Sequence, residues 1–338
     1  MIDKLTYIRK PIEEELRAFG HLFDETMNQA DGLLGKICQG IAERKGKLMR
    51  PILLLLVAKE WGLRAKKQTA NMHNEAPVTN AAYRAALTLE LLHNASLVHD
   101  DIVDESDMRR GKPSVRSIYG NKTAVLAGDY LLSSALESAS LSGDINIVNN
   151  VSLLGKQLSE GELLQLFNTQ NTDFSEEKYY HIIRLKTASL FSAATRIGAI
   201  SASAPDDAVI RMDRLGDIIG MCFQIRDDIF DYFNHNTGKP SGNDMLEGKL
   251  TLPALYVLNN TQDVAILEIA SKVRAGIATA AEIASLVKFT KQHGGITYAN
   301  DQMERFSAEA KTLIADFQNV DIRNALNNYI DFVSERTM

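Results

Sequence analysis

The chain has 338 residues, 45% of them apolar and 24% charged, the balance of an ordinary soluble globular protein. Its net charge of −6 argues against a nucleic-acid binder, which carries a basic patch or excess; Cys38 and Cys222 make neither a disulfide framework nor a metal site. The N-terminus has no secretory apolar core, and the longest aliphatic run, ILLLLVA (52–58), is far short of the roughly 20 residues of a membrane span, so a reducing, cytoplasmic setting is expected.

Taken in chain order, the elements are helices almost throughout. Pro11 followed by EEELRAF reads as a helix start with acids in its first turn. The run 52–58 reads as a buried helix. RAKKQTANMHNEAPVTN (64–80) is polar and reads as a surface loop. Residues 81–105, 123–142 and 146–168 carry helical apolar patterns. Ser175 followed by Glu176 and Glu177 reads as the N-cap of a helix that runs through YYHIIRLKTASLF. Another helix covers 207–232. NHNTGKPSGNDMLEGK (234–249) holds three glycines and a proline and reads as a second loop. Three amphipathic helices fill about 262–337. No segment alternates with the period of a strand, and there is no repeat. The expectation is one all-α domain over 1–338, a bundle in which helices apolar on most faces sit centrally.

Residues 99–112 read HDDIVDESDMRRGK. Asp100 and Asp104 are four apart, so on a helix they share a face about one turn apart. Asp101 sits between them in sequence. Such a pair is commonly a solvated helix end; it is also a donor set for a hard cation such as Mg²⁺, which favours carboxylate oxygen and keeps room for phosphate. The spacing then recurs in GMCFQIRDDIFDYF (220–233), with Asp227, Asp228 and Asp231 after a second apolar helical run. Six carboxylates gathered at one site would need several positive charges among them, and divalent metals bridged by a polyanionic substrate would balance them.

Basic residues stand near both motifs. Arg109 and Arg110 follow the first. Lys47 and Arg50 lie in KGKLMRP, Lys186 in RLKTAS, and Lys239 and Lys249 in the glycine-rich segment. Each alone is an ordinary surface charge; with two acid motifs they suggest diphosphate chemistry. His93, two turns before Asp100 on an apolar helix, reads by default as a satisfied core histidine.

The chain resembles the all-trans polyprenyl diphosphate synthases, the family that includes farnesyl, geranylgeranyl and octaprenyl diphosphate synthases. The resemblance runs nearly end to end. It is carried by GKLMRP (46–51), ELLHNASLVHDDIVDESDMRRGKPSV (90–115), AGDYLL (127–132), EGELLQL (160–166), KTASLF (186–191), GMCFQIRDDIFD (220–231) and GKPSGNDMLEGKLTLP (238–253). It implies an isoprenoid synthase-type bundle of mostly antiparallel helices around a deep central cavity, usually a homodimer. It implies a prenyltransferase that joins isopentenyl diphosphate to an allylic diphosphate primer, with three Mg²⁺ ions. By position, Asp100 and Asp104 would bind metal with Asp101 in support. Asp227 would take the remaining ion, with Asp228 and Asp231 close by through water or hydrogen bonds. Lys47, Arg50, His93 and Arg110 would hold isopentenyl diphosphate. Arg109, Lys186, Lys239 and Lys249 would hold the allylic diphosphate, and Thr187 and Gln224 would line the reacting centre beside Lys186. Two departures stand out: the 64–80 segment is longer than the family's, and Leu48 occupies a place where many relatives carry a basic residue.

Two other readings share parts of this pattern. A class I terpene cyclase would share the fold and the first acid motif, but its second motif mixes Asn, Ser or Thr with acid. A non-catalytic regulatory subunit tends to lose one or both aspartate motifs, and this chain keeps both. Product length is read from the helix before Asp100. Short-chain relatives close the cavity with bulky aromatics four and five positions before the first aspartate; here Ser96 and Ala95 stand there, with Leu92 a turn deeper. The expected product is longer than farnesyl diphosphate. No membrane span is expected, only transient membrane contact during product release.

Overall fold

The computed structural model describes residues 4–44, 46–68, 76–168, 174–233 and 242–335. In chain order the helices are α1 (Lys4–Arg9), α2 (Glu13–Met27), α3 (Gly32–Ala42), α4 (Met49–Gln68), α5 (Asn80–Val103), α6 (Val115–Tyr119), α7 (Asn121–Ser140), α8 (Ile145–Asn168), α9 (Glu176–Ile183), α10 (Ser189–Ser201), α11 (Asp206–Asp231), α12 (Asn243–Leu246), α13 (Leu252–Asn259), α14 (Val264–Arg274), α15 (Ala280–Gln292), α16 (Gly295–Leu313) and α17 (Val320–Ser334). A 3₁₀ turn (Lys10–Ile12) holds Pro11, so the acidic helix starts at Glu13. The all-α reading stands. The only strands among the described residues are β1 (Met108–Arg109) and β2 (Lys112–Pro113), a minimal antiparallel hairpin.

These residues form two compact units, each drawn from separated stretches of sequence. The first comprises 1–156, 190–216 and 313–329; the second comprises 157–189, 217–312 and 330–338.

In the first unit, Ile52 to Val57 of α4 have no exposed surface. A helix apolar on every side has to be surrounded. α5 starts at an N-cap, where Thr79 Oγ1 accepts from Ala82 N at 3.2 Å. Its buried face includes Ala82, Ala85 and Ala86, and α7, which packs along it, buries Ala124, Ala127, Gly128, Ala135 and Ala139. Small residues let the two backbones approach closely. At Gly128 a Cβ would lie 2.2 Å from His99 Nε2, so a larger residue there would have to push the His99 ring aside.

In the second unit, α9, α11, α13, α14, α15 and α16 bury a core that includes Ile183, Ile225, Ile229, Tyr232, Leu255, Leu286 and Met303. Ser175 caps α9 as expected, accepting from Lys178 N at 3.2 Å. The segment read as one helix through YYHIIRLKTASLF instead contains a π-helical turn, Arg184–Ala188, between α9 and α10.

Three other expectations change. Arg64 to Gln68 continue α4, with Lys66 and Lys67 in its last turn, where cations suit the helix dipole. The segment 234–249 contains the short helix α12. The stretch 262–337 holds four helices rather than three, because Gly294, at φ +83°, separates α15 from α16.

Candidate active site

In the first unit the DDxxD motif forms the last turn of α5. Asp104 N donates to Asp100 O at 2.8 Å, so the two outer carboxylates stand one turn apart, Asp100 half-buried and Asp104 exposed. Asp101 points inward and is 3% exposed. Both Nε (2.8 Å) and Nη2 (2.5 Å) of Arg109 converge on its Oδ1. The β1–β2 hairpin delivers Arg109, and its reversal needs positive φ at Arg110 (+52°) and Gly111 (+75°). Arg110 turns the other way, donating from Nη1 to Arg44 O at 2.8 Å. Its guanidinium lies against Gly46, where a Cβ would be 2.9 Å away. Asp101, Arg109 and Arg110 line one small cavity with Arg44 and Asn94.

The cations assigned to isopentenyl diphosphate lie in this unit. Arg50 stacks 5.0 Å from the centroid of Phe191. His93 is buried; desolvation first, then the charges of Arg50, Arg110 and Arg109, hold its imidazole well below the usual histidine range. It is therefore a neutral ring, able to donate one N–H to an anion. Glu90 is buried and raised above the usual carboxylate range by desolvation, offset by Arg50 and Arg110. Lys47 is exposed and precedes Leu48, whose φ of +56° is strained for a branched side chain.

In the second unit a cavity of about 210 Å³ brings together Lys186, Thr187, Gln224, Asp228 and Lys249 from the expected residues. Lys186 and Thr187 ride on the π turn, a feature that often marks a functional site. α8 packs against that turn at Gly161, where a Cβ would meet Lys186 N and Leu185 Cβ, each at 2.9 Å. Lys186 Nζ contacts Glu162 Oε2 at 2.5 Å, and Lys249 Nζ contacts Glu247 Oε2 at 2.7 Å. With Arg109 on Asp101, each described cation assigned to the allylic diphosphate rests on a carboxylate. Lys239 lies outside the described residues.

The second motif's carboxylates are divided by role. Asp227 is exposed, 3.3 Å from Arg226 Nη2. Asp228, 3% exposed, accepts from Tyr179 Oη at 2.5 Å and from Gln224 Nε2 at 2.7 Å. Burial, then the neighbouring charge of Asp244, pushes its carboxyl well up. Asp231 caps α12, accepting from Asn243 N (3.0 Å) and Asp244 N (3.2 Å). Asp244 is itself pushed up to about 7 by burial and by Asp231.

The residues of this cavity that were not singled out in the sequence include Gln165, Tyr179, Asp244 and Arg274. Gln165 and Asp244 lie inside quoted motifs and could have been found there. Tyr179 and Arg274 reach the cavity only through packing.

An all-α chain with two DDxxD helix ends and cations beside each defines the class of enzymes that handle isoprenyl diphosphates. A family model described as "Polyprenyl synthetase" matches residues 31–288. The chain is 31% identical to the all-trans-nonaprenyl-diphosphate synthase (geranyl-diphosphate specific) of Rhodobacter capsulatus, over 99% of each protein. It is 29% identical to heptaprenyl diphosphate synthase component 2 of Geobacillus stearothermophilus, over 98% of this chain and 99% of that one. The crystal structure of geranylgeranyl pyrophosphate synthase from Bacteroides thetaiotaomicron superposes with a TM-score of 0.84 at 46% identity, over 99% of this chain and 100% of that one. The chain belongs to the polyprenyl synthetase family, and it is an enzyme of the prenyltransferase class.

Proposed function

We propose that the chain condenses isopentenyl diphosphate with an allylic diphosphate primer to give a linear all-trans polyprenyl diphosphate longer than farnesyl. The observation that carries this reading is the second unit's cavity, which joins Lys186, Thr187, Gln224 and Lys249 to Asp228 of the second aspartate motif. The three relatives above are named for geranylgeranyl, heptaprenyl and nonaprenyl products, which supports the length. The family match runs through both compact units, which supports one working domain.

The donor set suits Mg²⁺. Among the described residues no three His, Cys, Asp or Glu converge to hold an ion by themselves. That fits a cation that takes one or two carboxylates and completes its shell with water and substrate phosphate. Asp100, Asp104 and Asp227 would hold the ions, three in all, with Asp101, Asp228 and Asp231 fixing the turns around them. Bound there, Mg²⁺ supplies Lewis-acid stabilisation of the leaving diphosphate.

Arg109, Lys186 and Lys249 bind the allylic diphosphate, exchanging their carboxylate partners for phosphate oxygen. Lys47, Arg50, Arg110 and the neutral His93 bind isopentenyl diphosphate. The allylic C–O bond breaks, leaving a delocalised cation that Thr187 and Gln224 face. The double bond of isopentenyl diphosphate attacks the cation, and the proton then lost goes to the released diphosphate. Apolar walls keep water from the cation.

α7 turns Val125, Leu126, Leu132 and Leu136 to solvent. A helix with one apolar face packed and another exposed supports a homodimer across it, and Leu126→Asp would then shift the purified chain toward monomer in light scattering. Among the described residues no helix is long and apolar enough to cross a membrane. Two buried free thiols suit a reducing, cytoplasmic setting, with membrane contact only as the product leaves.

The test is incubation of the purified chain with labelled isopentenyl diphosphate, Mg²⁺ and each allylic primer in turn. A linear diphosphate longer than farnesyl is expected. A cyclic product would make it a terpene cyclase, and no turnover without a second protein would make it a subunit.

A further inference from the structure

Four residues of the second unit form an unbroken hydrogen-bond chain along one wall of the 210 Å³ cavity. Tyr179 Oη donates to Asp228 Oδ2 at 2.5 Å. Gln224 Nε2 donates to Asp228 Oδ1 at 2.7 Å. Thr187 Oγ1 donates to Gln224 Oε1 at 2.7 Å. Every donor in the chain points toward Asp228. With the Tyr179 proton directed at Oδ2, Asp228 meets Gln224 through Oδ1 as an acceptor, and the amide nitrogen of Gln224 faces it. The amide oxygen then faces Thr187, which has a single hydroxyl proton and commits it to that oxygen. What Thr187 leaves for the cavity is lone pairs.

We propose that Tyr179 and Asp228 are positioning residues that set the polarity of the Thr187 hydroxyl, so that it presents electron density to the allylic cation and never its proton. This deepens the proposed reaction and rests on it. A dipole held in orientation before the cation forms needs no reorganisation during the step, which is where oriented groups contribute most. Burial favours the setting: Tyr179 is 6% exposed and Asp228 3%, which limits the competition of water for either. The assignment differs from the sequence-based one, in which Asp228 served only the metals.

The experiment inverts the chain of donors and then restores it. In Asp228→Asn, the new side-chain oxygen keeps the Tyr179 proton and the new NH₂ faces Gln224. Two NH₂ groups cannot share a hydrogen bond, so Gln224 turns over, its NH₂ meets Thr187, and the Thr187 proton swings into the cavity. With Mg²⁺ and both substrates, kcat should fall roughly a hundredfold, the scale for a misdirected dipole at a reacting centre, while the KM for isopentenyl diphosphate stays within about twofold. Asp228→Asn with Gln224→Glu exchanges donor and acceptor, keeps the total charge, and returns the Thr187 proton to position 224. It should recover most of the lost kcat.

A control separates polarity from charge. In a Thr187→Val background there is no hydroxyl to misdirect, so adding Asp228→Asn should cost little more. Tyr179→Phe should lower kcat by roughly tenfold, the effect of one lost hydrogen bond, and thermal unfolding of each variant distinguishes a folding defect. A double variant no faster than Asp228→Asn alone, or an undiminished effect of Asp228→Asn in the Thr187→Val background, overturns the inference while leaving the reaction standing. A native chain inert with every primer overturns the reaction, and the inference with it.

Discussion

The ends of α5 and α11 carry the same DDxxD spacing, and the middle aspartate of each, Asp101 and Asp228, is 3% exposed. Their surroundings differ in kind. Asp101 faces a cation, two nitrogens of Arg109 on one oxygen. Asp228 faces neutral donors, the Tyr179 hydroxyl and the Gln224 amide, with Asp244 adding further negative charge nearby. In the first motif the middle carboxylate is balanced within the protein. In the second, the described partners of the middle carboxyl are neutral donors, and burial raises that carboxyl. A repeated sequence motif therefore supplies two different electrostatic settings, decided by what the rest of each unit packs against it.

The outer aspartates are where the two motifs should behave alike. Asp100→Ala and Asp227→Ala should each lower turnover by several orders of magnitude with little change in circular dichroism, because removing an acid from a crowded acidic turn relieves repulsion. EDTA should abolish the activity and Mg²⁺ restore it. Full turnover in EDTA would sink the metal reading for both helix ends together. A large loss at one position only would show that the likeness between the motifs stops at their spacing.

The cations next to each motif give the next largest effect and divide by substrate. Arg50→Ala or His93→Ala, in the first unit, should mainly raise the KM for isopentenyl diphosphate. Lys186→Ala, in the second, should act on the allylic substrate or on kcat. Charged hydrogen bonds of this kind are worth about 1.5–3 kcal/mol, so initial-rate kinetics should show changes of roughly ten- to a hundredfold. If Arg50→Ala altered only the allylic KM, the assignment of the two diphosphates would be reversed.

The middle aspartates should separate in stability, measured on metal-free protein. Asp101→Asn removes the partner of Arg109, whose side chain is 32% exposed; screened to that degree, the loss should be about 1 kcal/mol and should shrink in high salt. The second unit should respond to pH instead. Asp244 has a folded pKa of about 7, against roughly 3.9 for an unfolded aspartate. Across that window the folded chain holds a proton that the unfolded chain releases, so stability falls as pH rises from about 4 toward 7. The raised carboxyl of Asp228 adds in the same direction. Asp244→Asn or Asp228→Asn should flatten this decline in thermal unfolding, and Asp101→Asn should leave it in place. An equal change in slope from all three would erase the contrast between the motifs.

The parts of this site that sequence reveals are those whose chemistry forces a spacing. Carboxylates one turn apart have to show as DDxxD, and an N-cap has to show as a small hydroxyl before acids, as at Ser175. Partners brought by packing leave no such trace. Tyr179 lies 49 positions from the aspartate it holds, and Arg274 reads as one more charge on an amphipathic helix until its 7% exposure is seen. The π turn at Arg184–Ala188 keeps a helical pattern and differs only in hydrogen bonding. α12 is four residues long, too short to show a period, and is held by Asp231 from another element. The polar RAKKQ reads as loop because it carries no large apolar residue, and Arg64 packs instead through its guanidinium over Trp61. Gly294 could have marked the break between α15 and α16, since its φ of +83° is one that glycine tolerates.

The last contrast lies upstream of the two motifs. Four and five positions before the first aspartate, α11 carries Phe223 and Cys222, whereas α5 carries Ser96 and Ala95. A growing apolar chain that starts at Asp100 would run back along α5, past Ala95, Leu92 and Leu89 at about 5.4 Å per turn. Ala95 and Leu92 are each 3% exposed, and Ser96 turns its hydroxyl to its own helix, donating to His93 O at 2.9 Å. The face is therefore buried, and Leu92 is its first bulky side chain. The competing explanation is that Ala95 is small so that a neighbouring helix can approach α5, as Ala82, Ala85 and Ala86 do against α7. The two explanations diverge for Ala95→Phe. On the tunnel reading the ring fills space meant for product: chain length shortens sharply while the initial rate, set a turn away at the aspartates, changes little. On the packing reading the ring has no void to enter, and overpacking should cost about 1–3 kcal/mol in stability with product length unchanged. Product chromatography beside a melting curve decides between them, and a native chain that stops at farnesyl diphosphate would dismiss the tunnel along this face outright.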